Sequence, residues 1–277
     1  MADVFLGYLL THESLEPGAT FGLLLVASAS LYLAGMVFND LFDRGVDAFE
    51  RPGRPIPSGR VSVRAAVIFG VALLLIGLIA SLAVSWRSVS VVLPLITCIF
   101  LYDGRLKDTP AGPVVMGACR FFNVLLGAST AEFVWGMPQL HVAGALGIYV
   151  AGVTWFARDE AERSRRTQLA AAMGTVNLGL ALLVAFVLNW SKGVPGMSFN
   201  VAVMLGFIAI TIKRRLITAL IDPSPRNVQA SIKLMLLSLV MLDASIVLFV
   251  QPSPAYGIGV ACLIAPALLL SRYLAVT

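Results

Sequence analysis

Six stretches of this chain, residues 21–38, 65–86, 133–157, 167–191, 193–212 and 244–271, contain no Asp, Glu, Lys or Arg. Each reaches the roughly 18 to 20 residues with which a helix crosses the hydrocarbon core of a bilayer. Backbone polar groups find no water in lipid, so only helices and closed barrels satisfy them there. The runs are too long for barrel strands and lack a two-residue alternation, so they read as helices. Segments 88–102, 109–131 and 227–250 are shorter or interrupted by Arg120, Lys233 or Asp243, yet apolar enough to span inside a bundle. At the start, MADVFLGYLL offers about ten apolar residues without a basic leader or a cleavage site, and reads as the tail of a helix whose front half is missing. The sequence therefore predicts an all-α polytopic transmembrane bundle of nine to ten spans, one integral-membrane domain over residues 1–277, with a truncated first helix. With 13% charged residues, the chain lies well below the roughly 25% of soluble domains. Cys98, Cys119 and Cys262 fall in apolar runs and are odd in number, which points to packing and not to a disulfide framework.

When the spans alternate, the polar connections fall into two sets. Loops 43–64, 103–110, 158–166 and 213–226, with Arg272, hold sixteen of the 20 Lys and Arg residues. The other side holds Arg87 and Lys192, while Arg120 and Lys233 lie within spans. This bias places the basic loops in the cytoplasm, in what we expect to be a bacterial inner membrane. It also accounts for the net charge of +5 without a nucleic-acid partner. Asp40, Asp43, Asp47, Glu50, Asp103, Asp108, Asp159, Glu160, Glu162 and Asp222 crowd onto the same side. Acidic residues contribute little to orientation, so topology does not explain them.

The densest acidic stretch is NDLFDRGVDAFERPGRPIPSGR, residues 39–60. The apolar run before it has no helix breaker near its end, so its helix should continue into NDLFD. At about 100° per residue, Asn39, Asp40, Asp43 and Asp47 then share one face. Like charges so placed destabilise a bare helix, and a divalent cation would reverse that sign. Carboxylates with an amide oxygen suit Mg²⁺, which binds through one or two carboxylates together with substrate phosphates. A solvated helix end is the competing reading of the acidic spacing alone. The adjoining loop, stiffened by proline and glycine, presents Arg51, Arg54 and Arg60, which suit a diphosphate.

Three other segments carry candidates. YDGRLKDTP offers Tyr102, Asp103, Arg105, Lys107 and Asp108, read either as phosphate-binding cations or as an ordinary basic loop. Arg120 and Asn123 lie three apart in an otherwise apolar span, either facing a cavity or paired with a carboxylate. In ARDEAER, Asp159, Glu160 and Glu162 supply either a second metal-ligand set or i,i+4 ion pairs: Arg158 with Glu162, Asp159 with Arg163, and Glu162 with Arg166. His12 and His141 are isolated on the opposite side, and Asp243 and Lys233 read as structural.

At NDLFDRGVDAFERPGRPIPSGRVS the sequence resembles the UbiA superfamily of intramembrane prenyltransferases, and the likeness extends over most of the chain. The pattern NDxxDxxxD followed by RPxPSG is complete. YDGRLKDTP retains Tyr102, Lys107 and Thr109, with Leu106 where a basic residue is usual. RPIPSGRVS, TPAGPVVMGACR and ARDEAER look most like the EboC-like branch. The resemblance implies a bundle around a central cavity, capped by loops with two acidic motifs. Mg²⁺ on those motifs would hold the diphosphate of a polyprenyl donor, whose allylic cation an acceptor captures. It assigns Asn39, Asp40, Asp43 and Asp47 to the first metal motif, and Asp159, Glu160 and Glu162 to a second that departs from the usual DxxDD or DxxxD. Asp40, Asp43 and Asp159 become the catalytic candidates. The candidate diphosphate ligands are Asn39, Arg51, Tyr102, Arg105, Lys107, Arg120 and Asn123. The implied partners are a polyprenyl diphosphate, an unidentified acceptor and the bilayer. A non-catalytic isoprenoid-binding or transport component is the alternative, favoured by the altered ARDEAER. An alcohol phosphotransferase is disfavoured because its long DGxxAR pattern is absent.

Overall fold

The computed structural model describes residues 1–160, 164–190, 193–266 and 268. Among these, ten α-helices and no strands occur: α1 (Ala2–Leu9), α2 (Gly18–Glu50), α3 (Val63–Val84), α4 (Trp86–Leu101), α5 (Gly112–Gly127), α6 (Met137–Ala157), α7 (Arg166–Asn189), α8 (Met197–Ile221), α9 (Pro225–Val250) and α10 (Pro254–Cys262). One π-helical turn, Tyr102–Leu106, continues α4.

Local chemistry marks the boundaries. Ser62 caps α3 by accepting from the Ala65 amide, and Ser85 caps α4 by accepting from Ser88 at 3.1 Å. Prolines open α5, α6, α9 and α10, where a missing amide hydrogen costs nothing. Gly59 holds φ +75° in the loop after α2, a conformation open to glycine without strain. Helices pack closely where side chains vanish: a Cβ on Gly127 would meet the Val4 carbonyl at 2.5 Å across α1 and α5, and one on Gly147 the Gly117 carbonyl at 2.9 Å across α5 and α6. Tyr149, fully buried on α6, donates to the Met235 carbonyl of α9 at 3.0 Å.

Every segment read as a span contains a helix, but six helices are long and apolar enough to cross a membrane: α2, α3, α4 with the π-turn, α6, α7 and α9. α5 has 16 residues, and α8 carries Lys213, Arg214 and Arg215. The run 244–271 is not one span. Gln251, Pro252 and Ser253 stop α9 and the chain restarts as α10, because proline cannot continue a helix. Exposed Ile68, Phe69, Ile79 and Leu82 on α3 give an apolar outer surface suited to lipid. The chain is an integral membrane protein.

The connections gather at two ends. At one, Arg158 donates to the Asp108 carbonyl and Arg166 to the Ile221 carbonyl, both at 2.8 Å. At the other, Arg87 donates to the Ala131 carbonyl, and the Gln251 amide to the Leu9 and His12 carbonyls. The first end holds the acidic stretch. α2 has 33 residues, about 50 Å of helix against a hydrocarbon core of about 30 Å, so its acidic end projects beyond the apolar zone.

Candidate diphosphate and metal site

The helix runs unbroken through NDLFDRGVD to Glu50, so Asn39, Asp40, Asp43 and Asp47 do share a face. Arg54, from the loop that follows, folds back onto that face. Its Nη1 lies 3.1 Å from Asp40 Oδ1 and 2.6 Å from Asp47 Oδ2. Two carboxylates almost two turns apart thus meet at a single nitrogen. Asp47 is buried beneath the arginine, its side chain 7% exposed, whereas Asp40 is 43% exposed.

The π-turn brings the second wall. Asn39 donates to Asp103 Oδ1 at 3.2 Å, and Lys107 Nζ forms a close ion pair with Asp43. A π-turn fits one more residue into a turn than an α-helix and is common at functional sites. Here it ends with the Lys107 amide on the Tyr102 carbonyl at 3.0 Å, which fixes where the lysine leaves the backbone. Tyr102 is half-buried in the same turn, and Arg105 is exposed. In this set Asp40, Asp43, Asp47 and Asp103 face Arg54 and Lys107, four carboxylates to two cations.

The second acidic motif approaches the same end. Arg51 is close enough to Glu160 to pull its carboxyl pKa down against burial, which pushes it up more strongly. Asp159 is half-buried, and its carbonyl accepts from Ser164. Glu162 and Arg163 lie outside the described residues, so the pairs invoked for them have no structural counterpart here.

Arg120 and Asn123 have other partners. Arg120 forms ion pairs with Asp3 of α1 and Asp243 of α9, the latter at 2.9 Å. Asn123 donates to Asp3 Oδ2 at 2.6 Å and accepts from Ser28 of α2 at 2.8 Å. Asp3 and Asp243 are buried, so this cluster ties four helices together inside the bundle. Asp3 was not singled out from sequence. The signal was an acid inside an apolar segment, to be matched with the arginine inside another. Arg54 stood out only as one of three loop arginines; its double pairing is a product of the fold.

The donor set suits a hard divalent cation: oxygen ligands on one face, an excess of two negative charges, and two carboxylates already converging on one positive atom. Among the described residues no three acidic, His or Cys side chains meet at one point. Arg54 gathers Asp40 and Asp47 while Lys107 takes Asp43.

The chain is thus an apolar helical bundle with a charged end. Residues 2–240 match the UbiA prenyltransferase family, and the chain belongs to that family. Its enzyme class is accordingly the prenyltransferases. The digeranylgeranylglyceryl phosphate synthase of Methanopyrus kandleri is 28% identical over 248 residues, covering 74% of this chain and 91% of the relative. That of Methanothrix thermoacetophila is 38% identical over 111 residues, 39% of this chain and 42% of the relative. Among solved structures, one from work on digeranylgeranylglyceryl phosphate synthase in membranes superposes with a TM-score of 0.71 at 19% identity, covering 90% of this chain and 91% of the other. A UbiA homolog from Archaeoglobus fulgidus bound to GPP and Mg²⁺ does so at 0.64 and 15% identity, covering 94% and 96%. At these identities the structures establish the shared fold.

Proposed function

We propose that the acidic end of α2, the loop after it and the π-turn bind a polyprenyl diphosphate, and that the chain transfers its prenyl group within the membrane to a bound acceptor. The observation that carries this reading is the cation-filled acidic face: Arg54 and Lys107 neutralise carboxylates that a metal ion can take over, which frees both cations for phosphate oxygens. Mg²⁺ held by Asn39, Asp40, Asp43 and Asp47, with Asp159 and Glu160 as the second set, would supply charge to offset that developing on the departing diphosphate. The presence of GPP and Mg²⁺ in the Archaeoglobus homolog supports this assignment.

The chain's own residues do the rest. Lys107 and Arg54, turned from carboxylate to diphosphate, make charge-assisted hydrogen bonds to the leaving group. Arg51, Arg105 and Tyr102 line the same end and complete the phosphate contacts. The prenyl tail lies among the apolar helices, which exclude water from the allylic cation until the acceptor captures it. Arg120 and Asn123 drop out of the diphosphate set, because Arg120 is held between Asp3 and Asp243 and Asn123 between Asp3 and Ser28.

In this reading α5 and α8 also cross the membrane, which brings the six long apolar helices to eight spans in a single domain. The charge bias puts the site on the cytoplasmic side. The relatives named above are archaeal, so a bacterial membrane has no support from them; the EboC-like placement and the acceptor stay with this proposal. The test is binding of labelled geranylgeranyl diphosphate to the purified chain with and without Mg²⁺. Binding should require Mg²⁺ and fail in Asp40→Ala and Asp43→Ala; unchanged binding in both variants would sink the reading.

A further inference from the structure

α8 carries a basic cluster at the same end of the bundle as the acidic stretch but outside it. Residues 197–212 carry no charge, and Lys213, Arg214 and Arg215 follow in succession. They are not in a loop: α8 continues to Ile221, and exposed Ile217 and Ile221 lie beyond them. Near the end of a span these residues contribute to orientation by positive charge, and the outward-facing apolar side chains on both sides of them set them at the depth of lipid headgroups. At helical spacing, Phe199, Val203, Phe207, Ile210, Arg214, Ile217 and Ile221 form one outward stripe, with Phe207 66% exposed.

Beside this stripe α8 and α9 form an open surface groove lined by exposed Thr211, Arg214, Arg215 and Thr218 and by half-buried Leu234. The four α8 residues fall at i, i+3, i+4 and i+7 on one face, with the two hydroxyls donating back to the Phe207 and Arg214 carbonyls at 2.8 and 3.1 Å. Ser231 of α9 donates to the Arg215 carbonyl at 3.2 Å and fixes the wall. The neighbouring charges are Lys213, Arg226 and Lys233, all basic and exposed. The nearest acid in sequence, Asp222, already accepts from Ser224 and Asn227. Among the described residues none of these five cations has an ion-pair partner.

The geometry points to a binding site for the phosphate of an anionic membrane lipid between α8 and α9, with Arg214 and Arg215 as its ligands and the acyl chains lying along Phe199, Val203, Phe207 and Ile210. Paired guanidiniums recognise phosphate oxygens in two-pronged fashion, and at headgroup depth each basic residue strengthens attraction to an anionic leaflet. A free phosphate would satisfy the arginines equally but has no use for the apolar stripe that leads to them. This sets the lipid above the soluble ion.

The test uses the full chain purified in detergent, with native mass spectrometry counting retained lipid. Dioleoylphosphatidylglycerol should remain bound where dioleoylphosphatidylcholine does not, and the double variant Arg214→Gln/Arg215→Gln should bind it about tenfold more weakly or worse. Arg60→Gln/Arg64→Gln, which removes the same charge at the same end of the bundle, should retain it. Equal retention of the two lipids by the parent chain would overturn the proposal. So would an equal loss in both double variants, which would reduce the effect to net charge. Displacement of the lipid by millimolar inorganic phosphate would overturn the lipid assignment in favour of a soluble anion. All arms are read on protein whose thermal transition matches that of the parent, so a folding defect is not mistaken for lost binding.

Discussion

The molecule carries two clusters of carboxylates and cations, made of the same chemistry and placed in opposite surroundings. At the end of α2, Asp40, Asp43 and Asp47 hold Arg54 and Lys107 with side chains mostly between one-fifth and two-fifths exposed. Inside the bundle, Asp3 and Asp243 hold Arg120 with the acids 3% and 0% exposed. Water at Asp40 and Asp43 lets their partners leave at little cost, since exposed ion pairs contribute about 0 to 1 kcal/mol, and only Asp47 beneath Arg54 lacks that access. At the second, losing one partner strands a charge out of water, which costs about 3 to 5 kcal/mol. Exchangeable pairs suit a site that must trade counterions for substrate. Fixed pairs suit a joint between helices.

This contrast is open to direct attack. The largest effect should come from Arg120→Ala, which leaves Asp3 and Asp243 uncompensated: we expect a loss of about 3 to 5 kcal/mol in unfolding measured in mild detergent, with donor affinity of the remaining folded protein little changed. Normal stability with lost donor affinity would instead move Arg120 to the substrate site. Next, Asp40→Asn and Asp43→Asn should each cut Mg²⁺-dependent diphosphate binding about 100-fold while changing stability by less than about 1 kcal/mol. A stability loss as large as that of Arg120→Ala would erase the distinction between the clusters.

A smaller effect separates the two roles of Arg54. Arg54→Gln should tighten Mg²⁺ binding several-fold without donor, because two carboxylates lose a competing cation, and weaken diphosphate binding, because a phosphate ligand is gone. Calorimetric titration with MgCl₂ and then with donor reads both signs. The smallest change should follow Glu160→Gln. Burial holds this carboxyl up and Arg51 opposes it. As a member of the second metal set its loss should weaken Mg²⁺-dependent donor binding about threefold, and an unchanged affinity would take the second acidic motif out of metal binding.

Much of this was legible from residue order. Uncharged runs gave the helices, because lipid permits few alternatives, and the four-residue rhythm of Asn39, Asp40, Asp43 and Asp47 fixed their common face once the helix was known to continue. What residue order concealed were contacts between distant segments. Arg120 reads the same whether it faces substrate or a carboxylate 123 positions away. The uncharged run at 244–271 concealed a break, because hydropathy averages over the Gln251-Pro252 stop that backbone chemistry imposes. Arg54 could be read as a phosphate ligand but not as the guest of two aspartates, since only the folded loop returns it to the helix it left.

The π-turn at Tyr102–Leu106 makes Lys107 sensitive to chain length in a way that its side-chain chemistry does not convey. Removing a single residue there, Gly104 for instance, would let the segment close as an ordinary α-turn and swing everything after it by about 100° about the helix axis. The lysine would keep its charge, its neighbours in sequence and its place at the water's edge, yet lose Asp43. A variant of this chain one residue shorter at that turn would be a relative in composition and a stranger in wiring.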